Sequence, residues 1–194
     1  MTSTQRLTAD HGALLIVDLQ EKLLPKIIDR DRVVANSVRL VRAAQLLGMP
    51  ALATEQYPQG LGPSVAELAE LVPVRGAKTT FHCGAVPQLL EQLYGRHVRH
   101  VTLAGIEAHV CVAQTALELM TLGFRVQVPA DAVGSRYAPD REYALRRLEH
   151  AGVVVSTTEA VLFEWAERSD RPEFKAISEM IKAHDARPSS ANRS

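Results

Sequence analysis

Cysteine is scarce in this chain: Cys83 and Cys111 are the only two in 194 residues. That is too few for a disulfide framework and too few for a zinc site built on thiolates, so each is expected as a free thiol. Net charge is missing as well. The 22 Lys plus Arg balance the 22 Asp plus Glu, so no basic face or acidic tail points to nucleic acid or to a membrane surface. No run of 18 apolar residues occurs, and the opening MTSTQRLTADHG has no apolar core of the signal-peptide kind. A soluble, cytoplasmic protein with a small-molecule partner is expected, with no nucleic acid and no membrane. The sequence also has no internal repeat and no linker. Its 46% hydrophobic share suits one domain with a sizeable core, expected over residues 1–185, with a polar and disordered tail at 186–194. The GLG at 60–62 is no dinucleotide fingerprint, because it does not open a helix after the first strand and lacks a third glycine.

What is present is alternation. The run ALLIV (13–17) is apolar without a polar partner face, as a strand covered on both sides must be, and VVANSVRLVRAAQLLG after it repeats its apolar residues at helical spacing and stops at Gly48. PALAT (50–54) reads as a second strand. SVAELAELV reads as a short helix with Ser64 as N-cap and Glu67 three residues on, a capping box. LVPVRG holds a short strand. VPQLLEQLYG gives a helix ending at Gly95, VRHVTLAG a strand, CVAQTALELMTLG a helix ending at Gly123, and RVQVPAD a strand; PDREYALRRLEHAG and VVVS add one more helix and strand. Right-handed crossovers then predict an α/β fold: a three-layer αβα arrangement around a mostly parallel sheet of about six strands, Rossmann-like.

In open parallel sheets, chemistry gathers at the carboxyl ends of the strands. Asp18, Glu55, Glu107, His109 and Asp131 stand at such ends. Asp18, held at the sheet rim, is open to two readings: a turn or N-cap residue, or a phosphate acceptor, which would lack the second acid that helps hold magnesium. Cys111 is either a small buried apolar residue or a nucleophile on a helix N-terminus, where the macrodipole and free N–H groups are expected to lower its pKa. Cys83, in TTFHCG, reads as structural. As base or thiolate partner the spacing offers His82, His97, His100, His109 and Lys78, and singles out none of them.

The stretches ALLIVDLQEKLLP, ATEQYPQGLGPSVAEL, AKTTF and AGIEAHVCVAQTALELMTLGFRVQVPADAVGSR resemble the isochorismatase-like cysteine hydrolases over nearly all of residues 10–185. The likeness is greatest to the isochorismatase domain-containing branch, of which TEQYPQGLG is characteristic. The resemblance implies the isochorismatase-like hydrolase fold and a catalytic set of Asp18, Lys78 and Cys111. It also implies a cis peptide between Ile106 and Glu107, and an oxyanion hole from the N–H groups of Glu107 and Cys111. The expected reaction is cleavage of a C–N bond in a small amide or ureide through a covalent acyl-enzyme, and the rival is a catalytically silent scaffold that keeps the fold. Cys111 argues against vinyl-ether cleavage of the isochorismatase kind. Nicotinamidases of the superfamily bind a divalent metal through an Asp-x-His pattern after the second strand. TEQYPQGLG stands there in this chain, so no metal and no other cofactor is expected. Relatives commonly form dimers or larger assemblies, which implies a homo-oligomer.

Overall fold

The computed structural model describes residues 6–185; the disordered tail expected at 186–194 lies outside them. In chain order the elements are β1 (Gly12–Val17), α1 (Arg30–Leu46), β2 (Ala51–Gln56), α2 (Pro58–Leu61), α3 (Ala66–Ala69), β3 (Arg75–Lys78), α4 (Pro87–Gly95), β4 (His100–Ile106), a π turn (Ala108–Val112), α5 (Ala113–Thr121), β5 (Arg125–Pro129), β6 (Val133–Gly134), α6 (Ala138–His150), β7 (Val154–Ser156), α7 (Thr158–Ala166) and α8 (Phe174–Asp185). The strands form one parallel sheet in the order β3-β2-β1-β4-β5-β7, with two-residue β6 pairing β4. The expected three-layer architecture is therefore present, with seven strands among the described residues where about six were expected.

β1 shows why. All six of its residues are buried, and successive side chains leave on opposite faces. Ala13, Leu15 and Val17 enter the core shared with Leu89 and Leu93 of α4, Ala116 and Leu119 of α5 and Leu148 of α6. Leu14 and Ile16 enter the opposite core, with Val33, Leu40 and Val41 of α1, Leu162 and Trp165 of α7 and Ile177 of α8. Burying a leucine on such a face is worth about 1.5–3 kcal/mol, and truncation to alanine leaves a cavity as well, so Leu15→Ala costs about 2–5 kcal/mol. α7 was not read from the sequence. Its start is fixed by Thr157, whose hydroxyl accepts from the Ala160 N–H.

The capping box expected at Ser64 does not form. Both the Ser64 amide and hydroxyl donate to Glu55 Oε1, at 2.8 Å each, so α3 starts from Val65 without a side-chain cap. Glu55 outcompetes Glu67 because the same oxygen also receives Arg75 Nε at 2.9 Å, making one charge-assisted brace between β2 and β3.

Three strands meeting at the centre end alike: Asp18 after β1, Tyr57 after β2 and Glu107 after β4 take left-handed backbone, with φ of 54°, 38° and 55°. For residues other than glycine this costs roughly 1–3 kcal/mol each, and such positions cluster at functional sites. Beside them, Gly105 (φ 135°) lies so close to β1 that a Cβ would sit 2.1 Å from the Val17 carbonyl oxygen, so only glycine lets β4 approach there. Gly105 and Glu107 turn the chain with trans geometry: no cis peptide occurs among the described residues. The cis bond implied between Ile106 and Glu107 is thereby corrected.

Candidate active site

Register brings the site together. β1 pairs β2 with Val17 opposite Thr54, and β2 pairs β3 with Gln56 opposite Lys78. Alternation along β2 sends Thr54 and Gln56 to the α4–α5 face and Glu55 to the other. At the carboxyl rim Asp18, 1% exposed, accepts from Lys78 Nζ on Oδ2 at 2.7 Å and from the Thr54 hydroxyl on Oδ1 at 2.9 Å. Lys78 is buried too, and its ammonium is shared with Gln56 Oε1 at 2.6 Å and with the Thr80 and Phe81 carbonyls at 3.4 Å each. Gln56 is in turn fixed by Gln20, whose side chain bonds both the Gln56 amide (2.7 Å) and its carbonyl (2.9 Å). A buried ion pair persists only with such extra hydrogen bonds.

Lys78 closes the edge strand β3. Cys111 was expected in the first turn of a helix. It stands on the π turn that leads from β4 into α5, 5% exposed and beside Asp18 and Lys78. The expected lowering of its pKa does not occur: burial pushes the thiol well up, the Asp18 carboxylate pushes it further, and Lys78 only partly opposes them. Loss of hydration outweighs the helix end here, so the resting residue is a neutral thiol whose proton faces a carboxylate.

None of the four histidines weighed as base takes that place. His97 and His100 lie at the amino end of β4, where His100 bonds the Asp10 carbonyl at 3.3 Å and burial lowers its pKa. His109 turns to the Ser135 hydroxyl at 3.1 Å and lies 3.6 Å from Asp140. His82 precedes Cys83 with a buried, unbonded Nδ1. Of the other strand-end acids, Glu55 is committed to its brace, Asp131 Oδ1 accepts from the Thr158 amide and hydroxyl, and Glu107 holds Arg136 Nε at 2.7 Å.

Sequence reasoning missed Thr54, Gln56 and Cys83. Cys83 is fully buried, as a structural cysteine should be, yet it abuts the site: its Sγ is 3.4 Å from the Thr54 hydroxyl and 3.3 Å from that of Thr115. The alternation Thr54-Glu55-Gln56 right after an apolar strand was the available signal. A cleft of about 300 Å³ reaches Lys78 between Tyr57, Pro58, Thr79 and Thr80, whereas a groove of about 790 Å³ runs along α1 on the other face, away from this chemistry.

Comparison with known proteins bears on what holds these residues together. Isochorismatase domain-containing protein 2 of Danio rerio is 39% identical over 183 residues, 93% of this chain and 92% of that protein. The structure of MAR1 ribonuclease from Caenorhabditis elegans is 36% identical with a TM-score of 0.88, covering 98% of both chains. The Escherichia coli YcaC structure, described as an octameric hydrolase of unknown specificity, shares the fold at 24% identity and a TM-score of 0.83, over 95% of this chain and 98% of that one. The Isochorismatase domain profile matches residues 12–160, a span that contains Asp18, Lys78 and Cys111 alike, and by that match and these likenesses the chain belongs to the isochorismatase family.

Proposed function

We propose that the protein is a cysteine-dependent hydrolase that cleaves a C–N bond of a small amide or ureide through an acyl-enzyme. The observation that carries this reading is the carboxylate of Asp18, fixed on one oxygen by Lys78 and on the other by Thr54, beside a neutral thiol. Asp18 takes the Cys111 proton as sulfur attacks the carbonyl carbon, so the thiolate need never accumulate. Lys78 and the backbone N–H groups of Glu107 and Cys111 stabilise the resulting oxyanion. The C–N bond breaks as Asp18 gives its proton to the leaving nitrogen. Water, deprotonated by Asp18, then opens the thioester, and the proton returns to sulfur. Nothing in these steps requires a metal, so exhaustive chelation leaves the rate unchanged.

A second reading, cleavage of an RNA phosphodiester, is favoured by the likeness to a protein called a ribonuclease. Balanced charge weighs against it, since backbone recognition draws on clustered Lys and Arg. A panel of amides, ureides and an RNA oligonucleotide, run with wild type and Cys111→Ala, separates the readings. Amide or ureide turnover lost in Cys111→Ala supports the proposal; RNA cleavage indifferent to Cys111 supports the second reading, and no turnover of any substrate supports a silent scaffold. We also infer a homo-oligomer, by likeness to the octameric E. coli fold relative; light scattering should exceed the 21.2 kDa monomer mass.

A further inference from the structure

The second cysteine is wired to the base. Thr54 has one hydroxyl proton, and it goes to Asp18 Oδ1, 2.9 Å away. A carboxylate has none to offer in return. The 3.4 Å contact between Thr54 Oγ1 and Cys83 Sγ must therefore be made by the Cys83 S–H, which donates to Thr54. Cys83 is able to donate because it holds its proton: burial raises its pKa and the Asp18 charge raises it further. Behind it, the Thr115 hydroxyl donates to Cys83 Sγ at 3.3 Å, while the Cys83 amide donates to Thr115 Oγ1 at 3.1 Å. Every side-chain proton of the chain Thr115–Cys83–Thr54–Asp18 thus points toward the carboxylate.

Thr115 stands one helical turn beyond Cys111, on the same side of the segment that runs from the π turn into α5. The donors therefore run in an open chain from Thr115 through Cys83 and Thr54 to Asp18, which lies beside the Cys111 thiol. All five residues are buried. Lys78 fixes the other carboxylate oxygen from the opposite side of the site.

We propose that Thr54 and Cys83 are positioning residues that hold the Asp18 carboxylate in register with the Cys111 thiol. The inference rests on the reading of Asp18 as the base. A carboxylate that loses a donor turns more freely, so removing the Thr54 hydroxyl misplaces the base.

The test uses full-length protein and p-nitrophenyl acetate as an acylating probe, with acetylation of Cys111 followed by mass. Thr54→Val should slow acetylation about tenfold. Thr54→Ser, which restores the donor, should return the rate to the wild-type value. Cys83→Ser should keep most of the rate and Cys83→Ala should lose severalfold, because only serine still donates to Thr54. Acetylation as fast in Thr54→Val as in wild type, or a Thr54→Ser variant as impaired as Thr54→Val, overturns the proposal. The carboxyl ¹³C resonance of Asp18 is read in the same variants and needs no activity. If its chemical shift at neutral pH moves in Thr54→Val but not in Thr54→Ser while Cys111 is never acetylated, the positioning role stands and the hydrolase reading fails. An unmoved resonance removes the positioning role whatever the enzyme does.

Discussion

Cys83 and Cys111 are two thiols beside one carboxylate and one lysine, and burial raises the pKa of both. What separates them is enclosure. Cys83 is sealed in the core, with hydroxyls of Thr54 and Thr115 on its sulfur. Cys111 retains 5% exposure on a turn at the carboxyl rim of the sheet, the position from which a parallel sheet presents its chemistry. Thiol acidity therefore does not pick out the nucleophile in this protein. In the proposed mechanism it is picked out by access and by a carboxylate placed to take the proton only as the bond forms.

The comparison breaks first at the sulfur itself. Cys111→Ala should abolish hydrolysis and acetylation, with circular dichroism and Tm near wild type, whereas Cys83→Ala should keep measurable turnover. Equal activity of the two variants would erase the distinction drawn between them. Next come the shared partners, whose removal should act on Cys111 with opposite signs. Lys78→Met takes away a charge that lowers the thiol pKa, so alkylation by iodoacetamide moves to higher pH. Asp18→Asn takes away a charge that raises it, so alkylation at a given pH speeds up while hydrolysis, which needs the base, is lost. Each change also leaves half of a buried ion pair uncompensated and should cost about 3–5 kcal/mol in denaturant unfolding.

A smaller effect sharpens the comparison through pH. Both thiols titrate in the folded protein above their ordinary value of 9.0. The unfolded chain therefore loses these protons first, and stability present below that value declines as pH rises past it. The double variant Cys83→Ala, Cys111→Ala should lose part of that alkaline slope, and an unchanged slope would mean the thiols are not held neutral. The smallest expected effect is none: treatment with a strong chelator should leave turnover unaltered, and activity lost to chelation and restored by one divalent metal would show that the site works differently.

How much of this could be read from the chain varies residue by residue. Asp18 was legible because β1 is buried on both faces, which makes a polar residue right after ALLIV conspicuous. Cys111 was legible because a strand end and a helix start bracket it. Lys78 was not, since β3 is a four-residue edge strand, RGAK, with neither apolar run nor alternation. Only the family resemblance singled it out. The macrodipole argument for an acidic Cys111 failed because it counted the helix end and omitted the hydration lost on burial and the facing carboxylate, both of which arise from tertiary packing. Ser64 followed a local capping pattern and was claimed instead by Glu55, which reaches it through the β2–β3 pairing rather than through sequence proximity. Cys83 and Thr54 illustrate the same limit: 29 residues apart, they meet only once the sheet is assembled.

The difference between the two cysteines is tested most directly by labelling both in the same native protein. Iodoacetamide is added at neutral pH, and modification of each site is followed in time by peptide mass mapping. Cys111 should be labelled more than about tenfold faster than Cys83, with a rate that rises as pH increases because the resting thiol is neutral. Equal slow labelling of the two, or faster labelling of Cys83, would contradict the assignment of Cys111 as the nucleophile.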